Sequence, residues 1–216
     1  MSSEARQYAP ATERNRQPIL DVLRRVLPAT GAVLEISSGT GEHITFFAPR
    51  LSHLQWIASE PDALSRQSIQ AWGKALPAEN LWLPPFALDV SRHPWPVEKP
   101  ILGLAPITAI VNINMIHISA WEMCRHLMAG AERILPSDGV LYLYGPFKQS
   151  GAHTAASNEA FDRMLRDRNP AWGIRDLAAV VTVAQQHSLQ LESVVEMPAN
   201  NLSVIFRRCP RPAAAG

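Results

Sequence analysis

The chain has 216 residues, 47% hydrophobic and 18% charged, which excludes a wholly disordered polymer and suits one α/β body with a packed core. Lys and Arg number 20 against 19 Asp and Glu, and the formal charge of +1 argues against a general nucleic-acid binder or an anionic-membrane binder, which carry a basic stripe. Two cysteines, Cys124 and Cys209, supply neither a disulfide framework nor a four-thiolate zinc site, and no apolar run approaches the roughly 18 residues of a membrane span.

The first residues, Met1-Ser2-Ser3-Glu4-Ala5-Arg6, are polar and carry no apolar signal-peptide core, so a cytoplasmic protein is expected. Residues 1–30 read as an N-terminal segment and helix. Ile19, Leu23, Val26 and Leu27 fall at helical spacing behind Pro18, which is placed in the first turn. Ala32–Ile36 is a compact strand, followed by Ser37-Ser-Gly-Thr-Gly41 and a helix opening near Glu42. Leu54–Ala58 is a second strand, closed by Ser59-Glu-Pro-Asp62 at the start of a helix that runs to Lys74.

Phe86-Ala-Leu88 leads into Asp89 and a Pro-rich connection, and Ile107–Val111 reads as a fully buried central strand extending toward Met115. A helix over Ala120–Leu135 and a fifth strand over Gly139–Tyr144 follow. Two further helices lie near Asn158–Arg168 and Arg175–His187, and Leu189–Val195 and Leu202–Phe206 are the last strands. The Pro198-Ala-Asn-Asn201 link is too short for a crossover, so those strands pair antiparallel, with Asn200 and Asn201 in the turn. The tail over 209–216 is Pro/Ala-rich and reads as frayed. Five β-then-α units predict a doubly wound, seven-stranded, mostly parallel sheet with an antiparallel last hairpin, in one domain spanning residues 1–216. The basic clusters Arg24-Arg25, Arg163/Arg166/Arg168 and Arg207-Arg208 read as solvated faces or chain ends.

In open α/β sheets ligands bind beyond the carboxyl ends of the strands. The first strand ends in Glu35, Ser37, Gly39, Thr40 and Gly41 at a helix start, the second in Glu60 and Pro61, and the third in Asp89 and Val90. A carboxylate at Glu60 suits two ribose hydroxyls, and one at Asp89 an adenine amino group. A dinucleotide loop would read G-x-G-x-x-G/A, but its third position here is Ile44. Glu35 would oppose a pyrophosphate and favour a ligand carrying an ammonium and a sulfonium, so S-adenosyl-L-methionine (SAM) is preferred to NAD.

These residues resemble the class I SAM-dependent methyltransferases from about Val33 to Phe206. More narrowly, Arg14-Asn15, Leu34–His43, Ser59–Asp62, Asn114–Ile118 and Pro198–Leu202 are similar to a small methyltransferase-like family without an assigned substrate. The resemblance implies a Rossmann-like fold and SAM as cofactor, with Glu35 to Gly41 facing its methionine part, Glu60 its ribose, and Asp89 with Val90 its adenine. It places Asn112 and Asn114 near the transferred methyl. Ser37 departs from the superfamily's usual first loop glycine and narrows the ligand's approach.

His117, after the fourth strand, is the candidate general base beside Asn114. His43, Tyr144, Arg14 and Asn15 are candidates for the acceptor side, with Arg14 and Asn15 preceding the first helix as a lid. Each has a plainer reading as a packing or surface residue. The seven histidines show no ligand spacing, so no metal site is expected. The leading expectation is methyl transfer to a small-molecule acceptor. The alternatives are a SAM-binding module without turnover and an NAD-type oxidoreductase.

Overall fold

The computed structural model describes residues 5–210. Seven strands form one sheet in the order β3-β2-β1-β4-β5-β10-β9: β1 (Ala32–Ile36), β2 (Gln55–Ser59), β3 (Leu81–Phe86), β4 (Ile107–Ile113), β5 (Val140–Gly145), β9 (Leu189–Met197) and β10 (Asn201–Arg208). This is a doubly wound, Rossmann-like sheet, mostly parallel, with an antiparallel last hairpin. Contacts divide the chain into two compact units, Met1–Ile113 and Asn114–Gly216.

In the first unit, β1 pairs in parallel with β2 on one side and β4 on the other, so the winding direction switches at its edge. All five β1 residues are buried, as a strand covered on both faces must be. Three helices serve this half: α1 (Pro10–Val26), α2 (Glu42–Phe47) and α3 (Ala63–Ala75). Asp62 caps α3 by accepting the Ser65 N–H over 2.7 Å.

Two expectations change here. The first helix begins at Pro10, not Pro18; Pro10 fits the opening turn because its missing N–H would have no intrahelical partner. Pro18 lies inside α1, whose Ile19, Leu20, Val22 and Leu23 are buried, and that burial carries the helix past the lost bond. The third strand spans Leu81–Phe86, so Asp89 lies three residues beyond its end rather than at it. It contains Pro84 and Pro85, which an edge strand accommodates because one side of its ladder is unpaired.

The second unit holds α4 (Trp121–Ile134), α5 (Ala156–Arg168) and α6 (Leu177–Gln186). β10 runs antiparallel to both β5 and β9, and the Tyr142 and Ser203 hydroxyls bond across the first pair at 2.6 Å. Ala199 and Asn200 take φ of 58° in the β9–β10 turn. The sequence patterns gave no sign of a second sheet of three short strands, β6 (Phe147–Gln149), β7 (Ala152–His153) and β8 (Arg175–Asp176), between β5 and α6. Arg208 is not a solvated chain end. It is 2% exposed, and its guanidinium donates to Glu132 O, Ser188 O and Cys209 O. Of the expected frayed tail, residues 211–216 lie outside the described residues. Among the described residues no helix is long and apolar enough to cross a membrane.

Candidate functional site

The carboxyl end of β1 opens into a loop with alternating left-handed residues: Ser37 at φ 56°, Gly39 at 55° and Gly41 at 91°. A Cβ on Gly41 would stand 2.7 Å from Ile69 Cα, so packing against α3 demands glycine there. A Cβ on Gly39 would meet nothing within 4 Å, which leaves that side of the loop open to a ligand. Ser37 holds the backbone a glycine would hold more cheaply, at a cost of about 1 kcal/mol.

Cross-strand bonds fix this loop. Gly39 N–H donates to Glu60 Oε2 over 3.0 Å and Ser38 N–H to Ser59 O over 2.9 Å, while Gly41 N–H turns back to Ser38 O over 3.0 Å. Glu60 Oε1 accepts the Asp62 N–H over 3.1 Å. Both Glu60 oxygens therefore already accept one backbone N–H each, and each keeps a second lone pair. Burial raises the Glu60 pKa, and those backbone bonds oppose the shift.

Glu35 is 2% exposed, and its Oε2 has no hydrogen-bond partner. Burial lifts its pKa to about 8; the neighbouring Glu60 carboxylate adds to the rise and the Ser38 hydroxyl opposes it. At neutral pH the carboxyl therefore keeps its proton until a cation compensates the charge, which refines the picture of a permanently negative loop. At the end of β4, buried Asn112 donates through Nδ2 to Ile36 O over 3.0 Å, and its Oδ1 is unpaired.

Pro61, Asp89, Arg66 and Arg92 line a cavity of about 380 Å³. Asp89 Oδ1 accepts from the Ser91 N–H at 2.9 Å and the Ser91 hydroxyl at 2.7 Å, which turns the chain after β3. Arg66 donates to Glu60 O and Pro61 O over 2.8 and 2.6 Å, joining the cavity wall to the end of β2. Val90 is buried, and its carbonyl accepts the Trp95 indole N–H over 3.1 Å.

Arg14 and Asn15 do not precede the first helix; they lie inside α1, because it starts at Pro10, about two turns before Pro18. Arg14 is exposed. Asn15 Oδ1 bonds His43 Nε2 at 2.8 Å, and the imidazole stacks on Phe47. Burial, with the nearby Arg16 guanidinium, lowers the His43 pKa to about 3. In this structure His43 ties α1 to α2.

In the second unit, Asn114 follows β4 at φ 64°, and its N–H donates to Tyr144 O over 2.8 Å. Tyr144 is 3% exposed. His117 is 1% exposed and lies edge-on to Phe147. Its Nδ1 accepts the Arg175 N–H at 3.4 Å and its carbonyl accepts the Gly173 N–H at 2.9 Å. Its Nε2 is buried without a partner, 2.5 Å from where a Gly145 Cβ would stand. Burial, reinforced by the Arg175 guanidinium, lowers its pKa to about 3.

Sequence patterns missed the group that frames this histidine. Arg175 donates to Ile116 O, Ser119 O and Ala171 O. Asp162 accepts the Ile174 N–H and pairs with Lys148, His153 and Arg166 at 3.0, 3.2 and 3.3 Å. The isolated glycines at 145 and 173 were the only local sign of close approach.

Among solved structures, an O-methyltransferase family protein from Burkholderia thailandensis superposes with a TM-score of 0.76 at 14% identity, over 94% of this chain and 58% of that one. An O-methyltransferase family 2 protein from Planctomyces limnophilus, in complex with apigenin, gives 0.72 at 15%, over 91% and 59%. Human N-acetylserotonin methyltransferase in complex with SAM gives 0.71 at 9%, over 92% and 53%. The chain thus matches the fold of these proteins while spanning little more than half of their length. A sequence profile of one family matches residues 6–208, almost all of the described residues. The chain belongs to that family, described as "Protein of unknown function (DUF938)".

Proposed function

We propose that the chain binds SAM in the cradle of Glu35, Gly39 and Glu60 and transfers its methyl group to a small-molecule acceptor. The observation that carries this reading is the Glu35 carboxyl, buried with an unpaired oxygen in the strand that leads into the open-sided Gly39 loop. A buried acceptor without a donor is costly, and an ammonium group supplies both the donor and the compensating charge. A pyrophosphate supplies neither.

Bound SAM would supply a methyl group already activated on a sulfonium, so the chain's own task is to align the acceptor and exclude water. In this reading the backbone of Ser37 to Gly41 surrounds the methionine part, with Thr40 between its two glycines. The spare lone pairs of Glu60 accept the ribose hydroxyls. Pro61 and Asp89 form the adenine side at the 380 Å³ cavity, with Val90 buried next to Asp89 in sequence, and Asn112 is assigned to the methionine end. The fold's likeness to O-methyltransferases, one of them in complex with apigenin, supports a small hydroxyl-bearing acceptor.

Isothermal titration of the chain with SAM and, separately, with NAD tests the cofactor. The reading expects binding of SAM alone; binding of NAD alone would overturn it. The enclosed His117, unpaired at Nε2 and packed against Gly145, favours a second reading in which the chain binds SAM without turnover. Release of S-adenosylhomocysteine on adding a small-molecule cell extract separates the two.

A further inference from the structure

The residues before α1 are tied to the glycine loop by two hydrogen-bond relays that end on one residue, Thr40. In the first, Ala9 N–H donates to Glu42 Oε2 over 2.6 Å, and the same oxygen accepts the Thr40 hydroxyl over 2.9 Å. In the second, Gln7 N–H donates to Ser68 Oγ over 2.8 Å, and the Ser68 hydroxyl donates to Thr40 O over 2.7 Å. Ser68 is fully buried on α3.

The segment is held along its length. Trp72 donates its indole N–H to Gln7 O over 2.9 Å, the Tyr8 ring meets the same indole edge-on, and the Arg6 guanidinium lies over it at 5.0 Å. Both backbone polar groups of Gln7 are therefore satisfied by α3 side chains. This is a built strap, anchored at successive turns of one helix.

The loop needs such support. Its alternating left-handed residues make no regular strand or helix ladder, and Thr40 lies between two glycines, the residues with most freedom to lose. The relays occupy both the Thr40 carbonyl and its hydroxyl. A loop ordered beforehand binds a ligand without meeting that ordering cost during association.

We propose that Glu42 and Ser68 are positioning residues through which the strap Arg6–Ala9 holds Thr40, and with it the conformation of the Gly39–Gly41 loop. The consequence for SAM binding rests on the proposed function above; the restraint on the loop does not.

The test is amide hydrogen exchange, followed residue by residue in the ligand-free protein, for E42A, S68A, E42Q and a chain lacking residues 2–9. The expected result is exchange at Gly39 and Gly41 faster by about tenfold in E42A, S68A and the shortened chain, with the Leu34 amide in β1 unchanged. E42Q keeps an acceptor oxygen and restores protection. Adding E42A to the shortened chain costs less than E42A costs in the full chain, because only the Thr40–Glu42 bond is left to lose. SAM affinity falls by about tenfold in the same variants and recovers in E42Q. Unchanged exchange in the shortened chain, additive effects, or equal loss of protection at Leu34 would each overturn the proposal. If the loop amides respond as expected while the parent protein binds no SAM, the strap stands and the cofactor reading falls.

Discussion

The backbone N–H of Gly39 donates to Glu60 Oε2 over 3.0 Å, so the carboxylate at the end of β2 directly orders the loop at the end of β1. Glu60 thus acts before any ligand arrives, and its replacement removes both a loop restraint and the proposed ribose acceptor. Glu60→Ala is expected to weaken SAM binding by about 1–3 kcal/mol, read by calorimetric titration. Unaltered affinity would remove Glu60 from the site.

The pH dependence of stability follows from Glu35. Its pKa is about 8 in the folded chain against an ordinary 4.5, so between those values the folded state holds a proton that the unfolded state has lost. Its contribution to stability therefore falls as pH rises from about 4.5 to about 8. Urea unfolding of the parent and of Glu35→Gln across that range should show the variant gaining stability relative to the parent as pH rises. SAM affinity should run the opposite way, rising by up to tenfold per pH unit toward pH 8, because the ammonium pairs with the ionised carboxyl.

His117 titrates in the other direction. With a folded pKa of about 3 against an ordinary 6.5, it stays neutral in the folded chain while the unfolded chain gains a proton. Its contribution to stability is present above about pH 6.5 and is lost on acidification toward pH 3. A methyl-transfer assay should accordingly show no inflection near 6.5 from this residue. Such an inflection, abolished in His117→Gln, would contradict the burial described.

Gly145 is required by its neighbour. A Cβ there would stand 2.5 Å from His117 Nε2 and 3.1 Å from Asn114 Oδ1. Gly145→Ala should destabilise the chain by about 1–3 kcal/mol in denaturant unfolding. Combined with His117→Ala, the loss should be less than the sum of the two, since the second change removes the clash.

Ser37 offers a gain instead. At φ 56° a serine is strained where glycine is not, so Ser37→Gly should stabilise the chain by up to about 1 kcal/mol. Ser37→Val should cost more than that, because a β-branched residue fits this region poorly. Urea midpoints of the two variants check both signs.

Much of this architecture is legible in the sequence, because it is written in local signals. Ala32–Ile36 is a continuous apolar run broken only by Glu35, and its bounds match β1. The short link at Pro198–Asn201 forces the antiparallel hairpin. Pro18 misled because a proline in mid-helix looks like a start unless the buried Ile19, Leu20, Val22 and Leu23 are known to hold the helix through it. The β6–β8 sheet has strands of two or three residues, too short to show a period. Around the candidate site, the sequence placed Glu35 near the end of β1, Gly39 in the loop after it and Glu60 just after β2, and the structure has them there. Their partners could not be placed this way. Ser68, Glu42 and Arg175 act through bonds to backbone groups far along the chain, and nothing in their own neighbourhoods marks them. The His43–Asn15 bond likewise joins two helices, and spacing along the chain does not predict it.

We propose that the cradle at the ends of β1 and β2 receives a sulfonium nucleoside. A crystal structure of the protein with S-adenosylhomocysteine tests this most directly. Density is expected beside Gly39, with the ligand's amino group against the Glu35 carboxyl and its sugar hydroxyls on Glu60. A ligand lying elsewhere, or a dinucleotide in that cradle under the same conditions, would contradict it.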